Sequence, residues 1–198
     1  MDLKNLSIVR QYFGTSVFTH KTQEVAAELQ ESNAHEIKVV NLILVSLVLI
    51  TLILQFYYPF FGYISILLTV VEIIFLIFQL SFKFEEKVIL HKNSALKYLG
   101  LRNCYTSLIT DIMNKSITTR EIMTRRDALL REYQVICDLA PQTGRREYQE
   151  AQKRLNKRGV VEGEEFTWSD EEIDRFLPKE LQLKKRREKG GERLNDKF

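Results

Sequence analysis

Apolar residues are distributed very unevenly along this chain, and that pattern fixes the first reading. From residue 39 to residue 82 the only charged side chain is Glu72, while both flanks are dense in Lys, Arg, Asp and Glu. A soluble core would spread its apolar positions periodically along the chain. A block this continuous calls for a different solvent. Twenty residues, 39–58, form the first candidate span, and at about 1.5 Å rise each they cover about 30 Å of hydrocarbon. A second candidate occupies 62–82. Pro59, Phe60 and Phe61 lie between them, with Tyr57, Tyr58 and Tyr63 alongside. Pro59 breaks helical pairing, and the aromatic group suits a headgroup belt. The chain is therefore expected to cross the bilayer twice as a tight hairpin.

Outside the hairpin the spacing predicts helices only. A stretch over 22–38 carries Val25, Leu29 and Ile37 on one side. The second span is expected to continue to about Asn114, with Leu101, Cys104, Tyr105, Leu108, Ile109 and Ile112 at helical intervals. A helix over 119–139 takes Thr119 as its N-cap and places Ile122, Leu129, Tyr133 and Ile136 together, before Pro141 and Gly144 punctuate its end. A short helix follows with Tyr148, Ala151 and Leu155. Ser169 and Glu172 form a capping box for a last one, closed by Phe176, Leu177 and Pro178. The expected fold is an all-α membrane protein. Its four segments are an N-terminal helical segment (1–38), the hairpin (39–82), a helical domain (83–183) and a basic tail (184–198), the tail low in apolar content and expected to be disordered. The N- and C-terminal segments together build one cytoplasmic helical domain.

Charge adds orientation. Lys4, Arg10, Lys21 and Lys38 precede the first span and Lys83, Lys87, Lys92 and Lys97 follow the second, whereas the connecting turn has no charge. The positive-inside bias puts both termini in the cytoplasm. The net charge of +3 over 198 residues is too small for a bulk polyanion binder. The basic runs at Arg125-Arg126, Arg145-Arg146 and 184–187 are interleaved with acids and lack a nucleic-acid motif, so contact with anionic lipid heads is the better reading. The chain has two cysteines, Cys104 and Cys137, which read as reduced thiols filling helix contacts. His20, His35 and His91 are too scattered to ligate a metal. No cleavable leader is expected, and no catalytic or cofactor-binding motif is found. The acids Asp170, Glu171 and Glu172 read as complements to a helix dipole. An enzyme is not expected.

Polar residues inside the spans are the candidate chemistry. Ser65, Thr69, Glu72 and Gln79 fall within roughly a 100° arc of the second span. Asn41, Thr51 and Gln55 form a looser counterpart on the first, with Ser46 off that face. Glu72 lies halfway along its span, where a charge costs on the order of 3 kcal/mol. Three readings stay open. The stripe holds helices together, it lines a pore built from several copies, or Glu72 carries protons as in rotor-ring hairpins. Two helices cannot enclose a channel, so the second reading requires a homo-oligomer.

The arrangement resembles the bacterial SLATT domains: a polar N-terminal helix, a two-helix hairpin, a long helical extension, Ala140-Pro141-Gln142-Thr143, REYQEAQKRL, and EEFTWSDEEIDRFLPKEL. The likeness extends to about Leu183, and the segment from Trp168 to Glu172 and on to Leu177-Pro178 is its most distinctive part. It implies a membrane effector of bacterial anti-phage conflict systems, acting in the inner membrane by abortive infection. It also implies a pore or ion channel, with a nucleotide-signal synthase or sensor encoded nearby. It carries no catalytic residues, and no fused sensor is expected in this chain. A non-conducting membrane anchor that recruits a soluble partner is the alternative.

Overall fold

The computed structural model describes residues 2–156 and 167–183; the basic tail lies outside them. The described residues are helical, in the order α1 (Leu3–Leu54), α2 (Phe60–Phe82), α3 (Phe84–Asn114), α4 (Thr119–Leu139), α5 (Arg145–Arg154) and α6 (Asp170–Asp174), followed by a 3-10 turn at Lys179–Leu181. They divide into two compact units, one of the described residues up to 25 and from 91 onward and the other of residues 26–90.

The first unit is a helical bundle with its own core. Leu6, Val9, Phe13, Val17 and Val25 make the buried stripe of α1. It packs with Tyr98, Leu101, Tyr105, Leu108, Ile109 and Ile112 of α3, and with Ile122 and Ile136 of α4. The helix expected over 22–38 thus begins nineteen residues earlier, at Leu3. Its hydroxyl residues would ordinarily compete with helix. Here Thr15, Ser16, Thr19 and Thr22 each donate to the carbonyl four residues back, at 2.9–3.1 Å, which keeps them inside the ladder while the apolar stripe is buried.

The segment 167–183 is sewn onto the start of α1. Gln11 Nε2 donates to the Trp168 carbonyl at 2.7 Å, and the Trp168 N–H donates back to Gln11 Oε1 at 2.7 Å. The indole lies against Gly14, where a Cβ would stand 2.7 Å from its Cγ. Arg10, counted from the sequence among the charges preceding the first span, is fully buried: its Nη2 donates to Asp174 Oδ1 at 2.7 Å and its Nε lies 3.4 Å from Asp170 Oδ1. Asp170 is therefore an ion-pair partner as well as a dipole complement. Asp174 also accepts from the Leu183 N–H at 3.2 Å.

One further sequence expectation is corrected here. Cys104 is exposed rather than filling a helix contact, whereas Cys137, also exposed, meets α3 through one hydrogen bond. The Tyr98 hydroxyl donates to Cys137 Sγ at 3.2 Å, and its burial pushes the phenol well above its ordinary range. His91 is buried, its Nδ1 2.7 Å from Gln23 Oε1, while Gln23 Nε2 donates to the Pro141 carbonyl at 3.1 Å. His20 is largely covered, and desolvation lowers its pKa against the opposing attraction of Glu24.

Local signals account for the shorter helices. Thr118, one residue before the expected Thr119, caps α4: its hydroxyl accepts from the Glu121 N–H at 3.3 Å, and Glu121 Oε2 accepts from the Thr118 N–H at 2.8 Å. Ser169 and Glu172 make the expected box at α6. The long helix expected to run unbroken from the second span to Asn114 is interrupted at Lys83, which adopts a left-handed conformation (φ 42°). The apolar run stops there, and Glu85 and Glu86 occupy the first turn of α3, where acids complement the helix dipole. The rings of Phe82 and Phe84 stack across the break with centroids 5.7 Å apart.

Candidate functional site

The second unit consists of α1 from Ala26 onward, α2 and the first turns of α3. Its apolar stretches are long enough to cross a bilayer, and only 6% of each is buried within the chain. Val39, Leu42, Ile43, Ile66, Ile74 and Leu80 are all exposed. A water-soluble core helix would be mostly covered, so this outward apolar surface needs lipid or further helices.

The turn follows from Pro59. The residue before a proline disfavours helical backbone, and α1 accordingly ends at Leu54. Its last carbonyls are taken up by tightened bonds from the N–H groups of Phe56 to Ile53 (3.3 Å) and of Tyr57 to Leu54 (3.1 Å). Pro59 then caps α2 with φ −55°, so α2 starts at Phe60, two residues before the expected Gly62. Phe56, Tyr57, Tyr58, Phe60 and Tyr63 are exposed around this uncharged turn.

The seven polar residues singled out from the sequence fall into three groups. Thr51 and Ser65 are buried in the seam between the two helices, 8% and 3% exposed. The Thr51 hydroxyl donates to the carbonyls of Leu47 (3.0 Å) and Val48 (2.9 Å), while the Ser65 carbonyl accepts the hydroxyl of exposed Thr69 at 2.8 Å. Gln55 closes the seam near the turn. Its Oε1 would stand 3.3 Å from a Cβ on Gly62, so the absent side chain is what admits the amide.

Asn41 and Gln79 sit at the opposite end of the hairpin, both half-buried. They line a cavity of about 610 Å³ with Lys38, Lys83, Glu85 and Glu86. Lys38 Nζ lies 2.5 Å from Glu85 Oε1, and Lys83 Nζ lies 3.0 Å from Glu86 Oε2. Reading polar positions within the spans could not find these four charged residues, because they lie just beyond the apolar runs.

Glu72 stands apart from both groups. It is half-buried at mid-span between exposed Val71 and Ile73, and among the described residues its carboxylate has no hydrogen bond or ion pair. The side chains of one protomer thus satisfy or enclose most of the polar face and leave its most costly member unanswered.

Comparison with curated proteins and with solved structures returns no match. A family model does match, over residues 6–172: the SMODS and SLOG-associating 2TM effector domain family 4. That span takes in the N-terminal helix, both apolar helices and the segment through Glu172. The match agrees with the outward apolar hairpin and with the resemblance carried by the Trp168 segment, and the chain is a membrane protein of the SLATT family, a two-transmembrane effector domain.

Proposed function

We propose that the protein is an oligomeric, pore-forming effector of a bacterial anti-phage system, seated in the inner membrane with both termini in the cytoplasm. The observation that carries this reading is Glu72: a carboxylate at mid-span, without a partner among the described residues, on a hairpin that is apolar on its outer surface. Lipid cannot solvate it, and a neighbouring copy or a water-filled axis can. Closed rings are the usual outcome when identical copies associate. In such a ring Glu72, with exposed Thr69 one turn away, faces the conduit and favours cations or gates by protonation. The helical unit mediates assembly and receives the trigger, a nucleotide signal or the synthase or sensor protein that handles it.

The test is electrical. Expression of the wild-type chain in bacterial cells should collapse the membrane potential, and the purified chain in liposomes should pass cations. Glu72→Gln and Glu72→Leu should alter conductance or cation preference. Depolarisation that survives both substitutions unaltered overturns the role given to Glu72.

A second reading, a non-conducting membrane scaffold that recruits a soluble partner, draws on the burial of Thr51 and Ser65 in the seam. Those residues serve the hairpin itself and need no conduit. This reading expects no ion leak and tolerance of Glu72→Gln.

A further inference from the structure

The cavity at the charged end of the hairpin combines groups that rarely share one space. It offers two cations, Lys38 and Lys83, and two anions, Glu85 and Glu86, beside apolar Leu76 and Leu80. Its volume of about 610 Å³ is in the range of small-ligand sites. The charges balance, so a ligand of single sign would leave one pair uncompensated. Both ion pairs are well exposed, with side-chain exposures of 58% and 69% for Lys38 and Glu85, and 69% and 57% for Lys83 and Glu86. Exposed pairs are held weakly and re-partner at little cost. Glu85 remains ionised, because the hydrogen bond and charge of Lys38 hold its carboxyl below the usual range.

Asn41, one of the lining residues, carries a buried Oδ1 that has no hydrogen-bond donor among the described residues. A buried acceptor of this kind calls for an N–H or O–H from elsewhere. The position supplies the remaining constraint. Lys38 and Lys83 immediately flank the two apolar runs, at headgroup depth, and exposed Leu76 and Leu80 lead from the cavity into the hydrocarbon.

We propose that this cavity binds a zwitterionic phospholipid bearing a primary ammonium, the phosphate on Lys38 and Lys83 and the ammonium among Glu85, Glu86 and Asn41. The discrimination follows from donor chemistry. A trimethylated head has the same charge but no N–H to give Asn41. A glycerol head carries only the negative charge and leaves the glutamates without a counter-ion. The acyl chains run along Leu76 and Leu80, which ties the head to a membrane source.

The test is lipid retention by the full chain in detergent, read by native mass spectrometry. Phosphatidylethanolamine, phosphatidylcholine and phosphatidylglycerol of identical acyl chains are supplied in equal amounts. The ethanolamine lipid should be retained about fivefold over the choline lipid, the size of one hydrogen bond. Asn41→Leu should erase that preference, and Glu85→Gln, at an exposed position, should reduce the preference over the glycerol lipid. Soluble phosphoethanolamine at equal concentration should displace nothing. Equal retention of the choline lipid, a preference for the glycerol lipid, an unchanged preference in either variant, or displacement by the soluble head would each overturn the assignment. The readout is independent of conduction, so a chain that depolarises membranes but shows no lipid preference refutes this site and leaves the pore reading intact.

Discussion

Gly14 leaves no space for a side chain of its own. A Cβ there would meet the Trp168 ring at 2.7–2.9 Å, and those ring atoms are close to the backbone, so the indole cannot swing aside cheaply. Gly14→Ala should therefore unseat Trp168 and destabilise the helical unit by roughly 1–3 kcal/mol, the usual cost of overpacking. Trp168 is the chain's one tryptophan, so its emission should shift to the red while the far-ultraviolet helical signal persists. An unshifted spectrum would count against this packing. The sequence marked Trp168 as distinctive but could not pair it with Gly14, since 154 positions separate them and no periodicity links a glycine to an indole. The same holds for Arg10 and Asp174. Each alone reads as a surface charge, and only the bundle brings their atoms to 2.7 Å.

Elements with local punctuation were legible in advance, and elements set by packing were not. The capping box of α6 is legible in Ser169 and Glu172, three residues apart, whereas at α4 the sequence points to Thr119 and the cap is its neighbour Thr118, boxed with Glu121. Thr118→Ala should cost about 1 kcal/mol of stability, measurable as a lower thermal midpoint, and Thr118→Ser should restore most of it. By contrast, the first twenty residues hold Ser, Thr and Gly at positions that discourage helix. Burial of Leu6, Val9, Phe13 and Val17 overrides that preference. The break at Lys83 was invisible for a different reason. A left-handed residue is ordinarily announced by Gly or Asn, and here a lysine adopts it where the solvent is expected to change from lipid to water. In the hairpin, sequence gave the polar positions and their arc. It could not separate Thr51 and Ser65, buried in the hairpin, from Glu72, which is half-buried and has no polar partner among the described residues.

At the scale of the whole molecule, the orientation proposed above can be checked with groups the chain already carries. Cys104 and Cys137 are free and exposed. A membrane-impermeant maleimide should leave them unmodified in intact spheroplasts and label both once the membrane is permeabilised. Labelling of intact spheroplasts would reverse the assignment of sides. The short turn at Pro59 has a further consequence, for biogenesis. Between residues 39 and 82 no side chain other than Glu72 bears a formal charge at neutral pH, and the turn itself carries none. Translocating it moves five aromatic-rich residues and no formal charge. The two apolar helices can therefore insert together as a preformed loop, with Glu72 travelling only to mid-depth and no dependence on the membrane potential to draw charge across.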